Sequence, residues 1–263
     1  QSGQYKYFNQ CNRELQMKRK VLIASGCSFT DENFTSDFHP DMDCSWPMWP
    51  ELLAEKLDMD FINLGHSGAG NPYIYASLID QIVKMDPDDI GLVMPAWSQA
   101  QRKDIKVRDV WKHLDVVRQH TYAIDLMVYG DMQYRIEDSI LMYYGLQEIC
   151  KSKKIPLYQF QMLGIGDGFN WDPKLKEKNS MSSKNAYKKI LQIIYQNTYY
   201  DEIDNTFLGW PTYNFLGGFN IFGDVLEGHD NNKKIKYQIS DIDVHPNAAG
   251  QIKITEFLYE QIK

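Results

Sequence analysis

The chain has 263 residues, of which 43% are hydrophobic and 24% are charged, and its formal net charge is −7. This length and balance are typical of a globular protein that builds its core without metal or disulfide cross-links. The acidic charge argues against binding of nucleic acid through its phosphates. No stretch approaches the ~18 apolar residues of a membrane span, and no signal peptide is apparent.

The cysteines are few and scattered, at positions 11, 27, 44 and 150. No pair has the C-x-x-C spacing of a zinc or thioredoxin-like site, and this usage is typical of a reducing compartment. We therefore expect a cytoplasmic or virion-associated protein without metal or cofactor, and with neither a membrane nor a nucleic-acid partner. A homo-oligomer stays open.

Over the first hundred residues, short apolar runs alternate with segments whose apolar residues have helical spacing. Strands are predicted at Val21–Ala24, Asp60–Leu64 and Ile90–Pro95. One helix is predicted to begin at Ser45-Trp46-Pro47, between the first two strands, and another at Asn71-Pro72, between the second and the third. This alternation is typical of βαβ units, which form a parallel sheet.

The second half of the chain continues this pattern less regularly. One further strand and three helices are predicted, at Pro156–Leu163 and at 136–150, Tyr187–Tyr195 and Asn247–Lys263. We expect a single α/β domain over residues 1–263, a flavodoxin-like three-layer α/β/α sandwich whose parallel sheet has about five strands. An N-terminal arm (1–20) and two elaborations (99–135 and 164–240) extend this scaffold.

Ligands of an open parallel sheet bind beyond the carboxyl ends of its strands. A serine nucleophile at such a position needs a base within hydrogen-bond reach and an acid that orients the base. Ser28 follows a glycine just after the first predicted strand, and His245 follows Asp241 and Asp243 just before the last helix. These residues supply the three functional groups of a serine hydrolase. Cys27, beside Ser28, is expected to pack inward.

Three motifs occur in a characteristic order. Gly26-Cys27-Ser28-Phe29 follows the first strand, Asn63-Leu64-Gly65-His66-Ser67-Gly68 follows the second, and Asp243-Val244-His245-Pro246-Asn247 precedes the last helix. Together they resemble the SGNH (GDSL-like) hydrolases, and most of all the divergent members common in tailed-phage and bacterial genomes. The resemblance covers about residues 21–98 and 241–263.

The resemblance implies a role for each matching residue. Ser28 is the expected nucleophile, and its backbone N–H is one donor to the oxyanion. Gly68 matches the glycine whose N–H is the second donor, and His245 matches the base. Asp243 is the expected orienting acid, with Asp241 as the alternative.

A further motif of the family, directly after the third predicted strand, departs from its usual form in this chain. The family has an asparagine there as a third oxyanion donor, whereas this sequence reads Ala96-Trp97-Ser98-Gln99. Ser98 occupies the matching place and is a candidate pocket residue. Asn71, at the end of the glycine-rich segment, is the expected substitute donor, and Gln99 is the alternative.

Two further segments are candidates for the substrate pocket. A basic stretch over 100–120 is interpreted as a solvated face or as a site for an anionic substrate, with Arg102 pointing into the cleft. Nine aromatic residues fall within 195–222, where Trp210 is a candidate pocket residue. This segment is a local core, an aromatic wall for a sugar or acyl group, or a self-association surface.

The resemblance implies a serine ester hydrolase that removes an O-acyl group, such as acetyl, from a carbohydrate or a small ester. Three alternatives stay open. They are a glycan-binding or virion structural module on a catalytically degenerate SGNH scaffold, an acyltransferase, and a flavodoxin-like binding protein.

Overall fold

The computed structural model describes residues 19–114, 132–166, 180–227 and 236–263. Five parallel strands form the main sheet and are, in order across it, β2 (Asp60–Asn63), β1 (Val21–Ser25), β3 (Ile90–Trp97), β6 (Gln159–Gln161) and β7 (Phe207–Leu208). Two more strands, β4 (Lys103–Val107) and β5 (Val110–Leu114), pair with each other as an antiparallel hairpin.

Helices cover both faces of the sheet. The described α-helices are α1 (Trp49–Lys56), α2 (Asn71–Lys84), α3 (Met132–Lys153), α4 (Ser180–Tyr195) and α5 (Ala248–Ile262). Helices α2, α3 and α4 share one hydrophobic cluster, while α1 and α5 share the other with a π-helical turn at Ile221–Glu227. The predicted three-layer α/β/α sandwich with a five-stranded parallel sheet is therefore confirmed.

Strand β1, the second strand across the sheet, contributes to both clusters because its side chains alternate between the faces of the sheet. Ile23 packs toward α2 and α3, and Leu22 packs toward α1 and α5. All five residues of β1 are buried, which is the expected pattern for a parallel strand covered on both faces. This strand ends directly beneath the Ser28 turn.

The predicted helix start at Ser45-Trp46-Pro47 is wrong, because the next Trp-Pro pair along the chain opens α1 instead. Trp49 is completely buried and its ring meets that of Phe160 edge to face at 5.3 Å, whereas Trp46 is only half-buried. Pro50 lies in the first turn, where its missing N–H costs no intrahelical hydrogen bond.

Other differences concern short elements. Strand β6 is shorter than the predicted 156–163, and Leu157 contributes only an isolated bridge to Val93. Residues 1–18, 115–131, 167–179 and 228–235 include the N-terminal arm and parts of both elaborations, and they lie outside the described residues. Of the helices that are described, none has both the length and the apolar character needed to cross a bilayer.

Candidate active site

Ser28 lies in a tight turn at the carboxyl end of β1. The N–H of Thr30 donates to the carbonyl of Cys27 at 2.8 Å, and a Cβ at Gly26 would collide with the Thr30 side chain. The turn therefore requires the glycine that precedes it. Cys27 is completely buried, as expected, while Ser28 keeps 7% of its surface exposed.

The structure brings Ser28, His245 and Asp243 into one hydrogen-bonded chain. Ser28 Oγ lies 2.9 Å from His245 Nε2, and His245 Nδ1 lies 2.6 Å from Asp243 Oδ1. Both distances are within the range of good hydrogen bonds. With Nδ1–H donated to the carboxylate, neutral His245 presents an unprotonated Nε2 to the serine hydroxyl, which is the arrangement that a general base requires.

Asp243 is fixed by the loop that carries it and by a second serine. Its Oδ2 accepts a hydrogen bond from Ser36 Oγ, and its N–H donates to Ser240 Oγ at 3.0 Å. Burial raises the pKa of Asp243, but the hydrogen bonds from Ser36 and His245 outweigh burial, so that its pKa is lowered overall. Asp241 is exposed, so the carboxylate that meets His245 is that of Asp243.

The imidazole of His245 packs between two aromatic rings. The ring centroids of Phe34 and Phe29 lie 4.4 Å and 5.2 Å from that of the histidine. Burial is the main cause that lowers the pKa of His245, and the hydrogen bond and charge of Asp243 oppose it. The histidine is therefore mostly neutral at pH 7 and able to accept a proton.

Gly68 occupies the third position of a β-turn in which Ala69 N–H donates to the His66 carbonyl at 3.0 Å. Its φ of +81° is in the left-handed region, which favours glycine. We call residues His66–Gly70 the Gly68 turn. On the side facing the nucleophile, His66 N–H donates to the Gly26 carbonyl at 3.0 Å.

Asp31 and Asn63 fasten the Gly68 turn to the Ser28 turn, and sequence reasoning missed both. The Oδ2 of Asp31 accepts from the N–H and the Oγ of Ser67 at 2.8 Å and 2.7 Å. Asn63 Nδ2 donates to the Thr30 carbonyl at 2.7 Å. The available signal was position, because Asp31 closely follows Ser28 and Asn63 ends β2.

The position of Asn71 speaks against a role as oxyanion donor. Its amide nitrogen donates to Ser139 Oγ at 3.0 Å and to Tyr143 Oη at 3.3 Å, and its Oδ1 accepts the Ser98 N–H at 2.8 Å. Asn71 and Ser98 are both buried, with 1% and 0% of their surfaces exposed. These residues join β3, α2 and α3 in the core rather than lining a pocket.

The two remaining candidate pocket residues, Trp210 and Arg102, lie in different surroundings. Trp210 donates its indole N–H to the Tyr200 carbonyl at 3.0 Å and packs against the hydrophobic cluster of α3 and α4, and its role as a pocket residue stays a prediction. Arg102 donates to the Ala69 carbonyl at 3.2 Å, within the Gly68 turn. Its positive charge also lowers the pKa of His245, although less than burial does.

The aromatic segment 195–222 is only partly core, because Phe207 and Tyr213 are buried, Tyr195 and Phe215 are exposed, and the other five aromatic residues are partly buried. One residue of it reaches the site indirectly, because the Phe222 ring meets Phe29 edge to face at 5.7 Å and Phe29 packs against His245. The segment therefore supports the histidine from beneath through this contact.

No protein-family model matches the chain, nor does any curated protein. Among solved structures, the chain is similar to an acetyl-xylooligosaccharide esterase variant from Geobacillus stearothermophilus, with 12% identity, 93% of this chain and 94% of that chain covered, and a TM-score of 0.48. It is also similar to a G-D-S-L family protein from Desulfitobacterium hafniense DCB-2, with 13% identity, coverage of 92% and 99%, and a TM-score of 0.45.

A third similar structure is the psychrotrophic esterase EstA from a Pseudoalteromonas species, with 12% identity, coverage of 92% and 96%, and a TM-score of 0.43. Similarities at this level leave the activity to be argued from the site itself. G-D-S-L family proteins are among the solved structures to which this chain is similar.

Proposed function

We propose that the protein is a serine ester hydrolase of the SGNH type. The observation that carries the proposal is the hydrogen-bonded chain from Ser28 Oγ through His245 to Asp243, with distances of 2.9 Å and 2.6 Å. The groups stand in the order nucleophile, base and orienting acid, beyond the carboxyl end of β1, and parallel sheets bind ligands at this end of their strands.

In the first half of the proposed reaction, Ser28 Oγ attacks the acyl carbon of the ester while His245 Nε2 takes the serine proton. The carbonyl π electrons move to oxygen and give a tetrahedral oxyanion. When this species collapses, the C–O bond to the alcohol breaks, the proton on His245 passes to the departing oxygen, and an acyl-serine remains.

In the second half, water attacks the acyl carbon and gives its proton to His245. The second tetrahedral species then releases the carboxylic acid, and Ser28 recovers its proton from the histidine. Asp243 keeps its negative charge throughout, orients the imidazole, and stabilises the imidazolium that forms twice in the cycle.

We assign the oxyanion donors to the backbone N–H groups of Ser28 and Gly68. The assignment is supported by the glycine-specific conformation at position 68 and by the bonds that fasten the Gly68 turn to the Ser28 turn. One donor of this kind is worth about 3–4 kcal/mol of transition-state stabilisation in serine hydrolases.

The substrate class that we propose is an O-acyl group, such as acetyl, on a carbohydrate or a small ester, as the resemblance of the motifs implies. Hydrolysis of 4-nitrophenyl acetate tests the reaction type, and products from acetylated sugars test the substrate class. Ser28→Ala is expected to lower kcat on the order of 10⁴-fold or more. Ser152→Ala, at an exposed serine of α3, is the control and should keep wild-type activity.

The second candidate is a binding module on a degenerate scaffold, and the engagement of Asn71 in the core favours it, since the expected third donor is absent. That candidate predicts glycan binding that Ser28→Ala leaves unchanged, with no ester turnover by the wild type. Turnover that Ser28→Ala abolishes would exclude it.

A further inference from the structure

We propose that Asp104 and His113 of the β4–β5 hairpin are positioning residues that hold the Gly68 turn in the conformation needed for oxyanion binding. This inference rests on the proposed function of the turn. The pair is a second Asp–His arrangement, separate from Asp243 and His245, and it contacts the turn at Gly70, whereas Asp31 contacts it at Ser67.

Asp104 is the centre of this arrangement. Its side chain is completely buried, and both carboxylate oxygens lie 3.1 Å from the Gly70 N–H group. Its Oδ2 also accepts the N–H of Tyr73, in the first turn of α2, at 2.8 Å. Burying a carboxylate is costly unless hydrogen bonds replace its hydration, and here the backbone of the Gly68 turn and of α2 supplies these bonds.

His113 completes the set of donors to Asp104. Its Nδ1 lies 2.6 Å from Asp104 Oδ1, and only 10% of the histidine side chain is exposed. A Cβ at position 68 would lie 3.4 Å from His113 Cβ, so the histidine lies directly against Gly68. The His66 ring, at the start of the turn, is 4.5 Å from the His113 ring.

The second ring nitrogen of His113 bears on why a histidine occupies this position. Nε2 is buried and has no hydrogen-bond partner among the described residues. An unpaired buried polar atom is unfavourable, so a histidine would be a poor choice at this position if only packing were needed. What the histidine supplies is the Nδ1–H bond that orients Asp104, together with a flat ring against Gly68.

Arg102, the residue just before β4, holds the same turn. Its guanidinium donates to the Ala69 carbonyl, and a Cβ at Gly70 would lie 2.8 Å from Arg102 Cβ. Arg102 and the hairpin thus contact Gly68, Ala69 and Gly70. The hairpin follows Ala96-Trp97-Ser98-Gln99, where the expected third-donor asparagine is missing, and it supports Gly68, one of the two donors that remain.

The experiment compares Asp104→Asn, His113→Leu and His113→Asn with the wild type. Asn at 113 keeps an N–H near the place of Nδ1, whereas Leu removes it, so the two variants separate the hydrogen bond from simple packing. Lys112→Leu, at the exposed neighbouring position of β5, is the control. The readouts are kcat and KM for 4-nitrophenyl acetate, its pH profile, and hydrogen–deuterium exchange of the segment 64–73.

Asp104→Asn and His113→Leu are expected to lower kcat about 10- to 100-fold, because small displacements of catalytic groups have effects of this size. KM and the midpoint of the pH profile should stay unchanged, because neither variant touches His245. Exchange in 64–73 should become faster in both, and His113→Asn should recover most of both effects.

Two results would overturn the proposal. One is unchanged exchange in 64–73 in Asp104→Asn and His113→Leu, which does not depend on activity. The other is faster exchange with wild-type kcat. Absence of turnover in the wild type would instead contradict the proposed function, while the exchange measurement would still decide whether the pair holds the turn.

Discussion

At the scale of single residues, the motifs identified most groups of the site but left the identity of the orienting acid open. Ser28, Gly68 and His245 each stand in a recognisable motif, whereas Asp241 and Asp243 were both candidates for the orienting acid. The local fold decides between them, because Ser240 N–H donates to the Asp243 carbonyl at 3.1 Å in a turn that buries Asp243 and leaves Asp241 exposed. The spacing of Asp241 and Asp243 along the sequence does not reveal this turn, so the sequence alone could not show which of the two carboxylates meets His245.

Replacement of the two aspartates should therefore have very different effects. Asp243→Asn is expected to lower kcat on the order of 10⁴-fold, as loss of the orienting carboxylate does in other serine hydrolases. Asp241→Asn is the matched control and should keep kcat within about twofold, because surface substitutions away from functional groups have small effects. Steady-state kinetics on 4-nitrophenyl acetate measure both, and equal losses would contradict the assignment.

The pH dependence of activity should report the environment of His245. The charged groups that act on this histidine are Asp243, Arg102 and Asp37, and its ring packs against Phe29 and Phe34. Because burial lowers its pKa, the acid limb of kcat/KM should have its midpoint below 6.5, the ordinary histidine value.

Arg102→Met should move that midpoint to higher pH. The guanidinium disfavours the imidazolium form of His245, so its removal raises the pKa of the histidine. Lys103→Met, one residue further along, is the control, since its charge is not among those that act on His245. A midpoint that stays in place in Arg102→Met would contradict the position of the guanidinium near the base.

At the scale of elements, the apolar strands could be predicted from the sequence and the hairpin could not. Strands β1 and β3 are continuous buried runs, which identify central parallel strands. Strands β4 and β5 mix polar and apolar residues, with Asp104 buried, and they are joined at Arg108 and Asp109, which both have positive φ. Such turns usually carry Asn-Gly or Asp-Gly, so the common hairpin signal is absent.

The prediction at the scale of elements concerns Asn71, because its hydrogen bonds connect α2, the end of β3 and α3. Asn71→Ala would leave buried partners unpaired and is expected to lower the free energy of unfolding by about 1–3 kcal/mol. The folded variant should keep kcat within a few-fold of wild type. Urea unfolding and kinetics measure the two effects, and a large loss of kcat without loss of stability would restore Asn71 as an oxyanion donor.

At the scale of the whole molecule, the site depends on contact between segments more than 200 residues apart. Gln251, in α5, is completely buried; its Oε1 accepts the Trp49 N–H at 3.0 Å and its Nε2 donates to the Phe29 carbonyl at 3.2 Å. It therefore links the helix that follows His245 to α1 and to the Ser28 turn. Sequence reasoning placed this residue on a helix, but nothing in a helical pattern distinguishes a buried glutamine from a solvated one.

Gln251→Leu is expected to lower the free energy of unfolding by about 1–3 kcal/mol, because two backbone groups lose their buried partner. It should also lower kcat, since the link between the Ser28 turn and α5 is lost. Glu256→Ala, at an exposed position of the same helix, is the control for general effects on α5. Wild-type stability in Gln251→Leu would show that the link contributes little.

The central claim is that Ser28 is the nucleophile, and the most direct measurement is peptide mass spectrometry of the protein after reaction with a fluorophosphonate. The account predicts one phosphonyl group per chain, attached to Ser28, with no adduct on Cys27 and none in Ser28→Ala. Failure of the folded wild type to react, or an adduct on another residue with Ser28 unmodified, would contradict it.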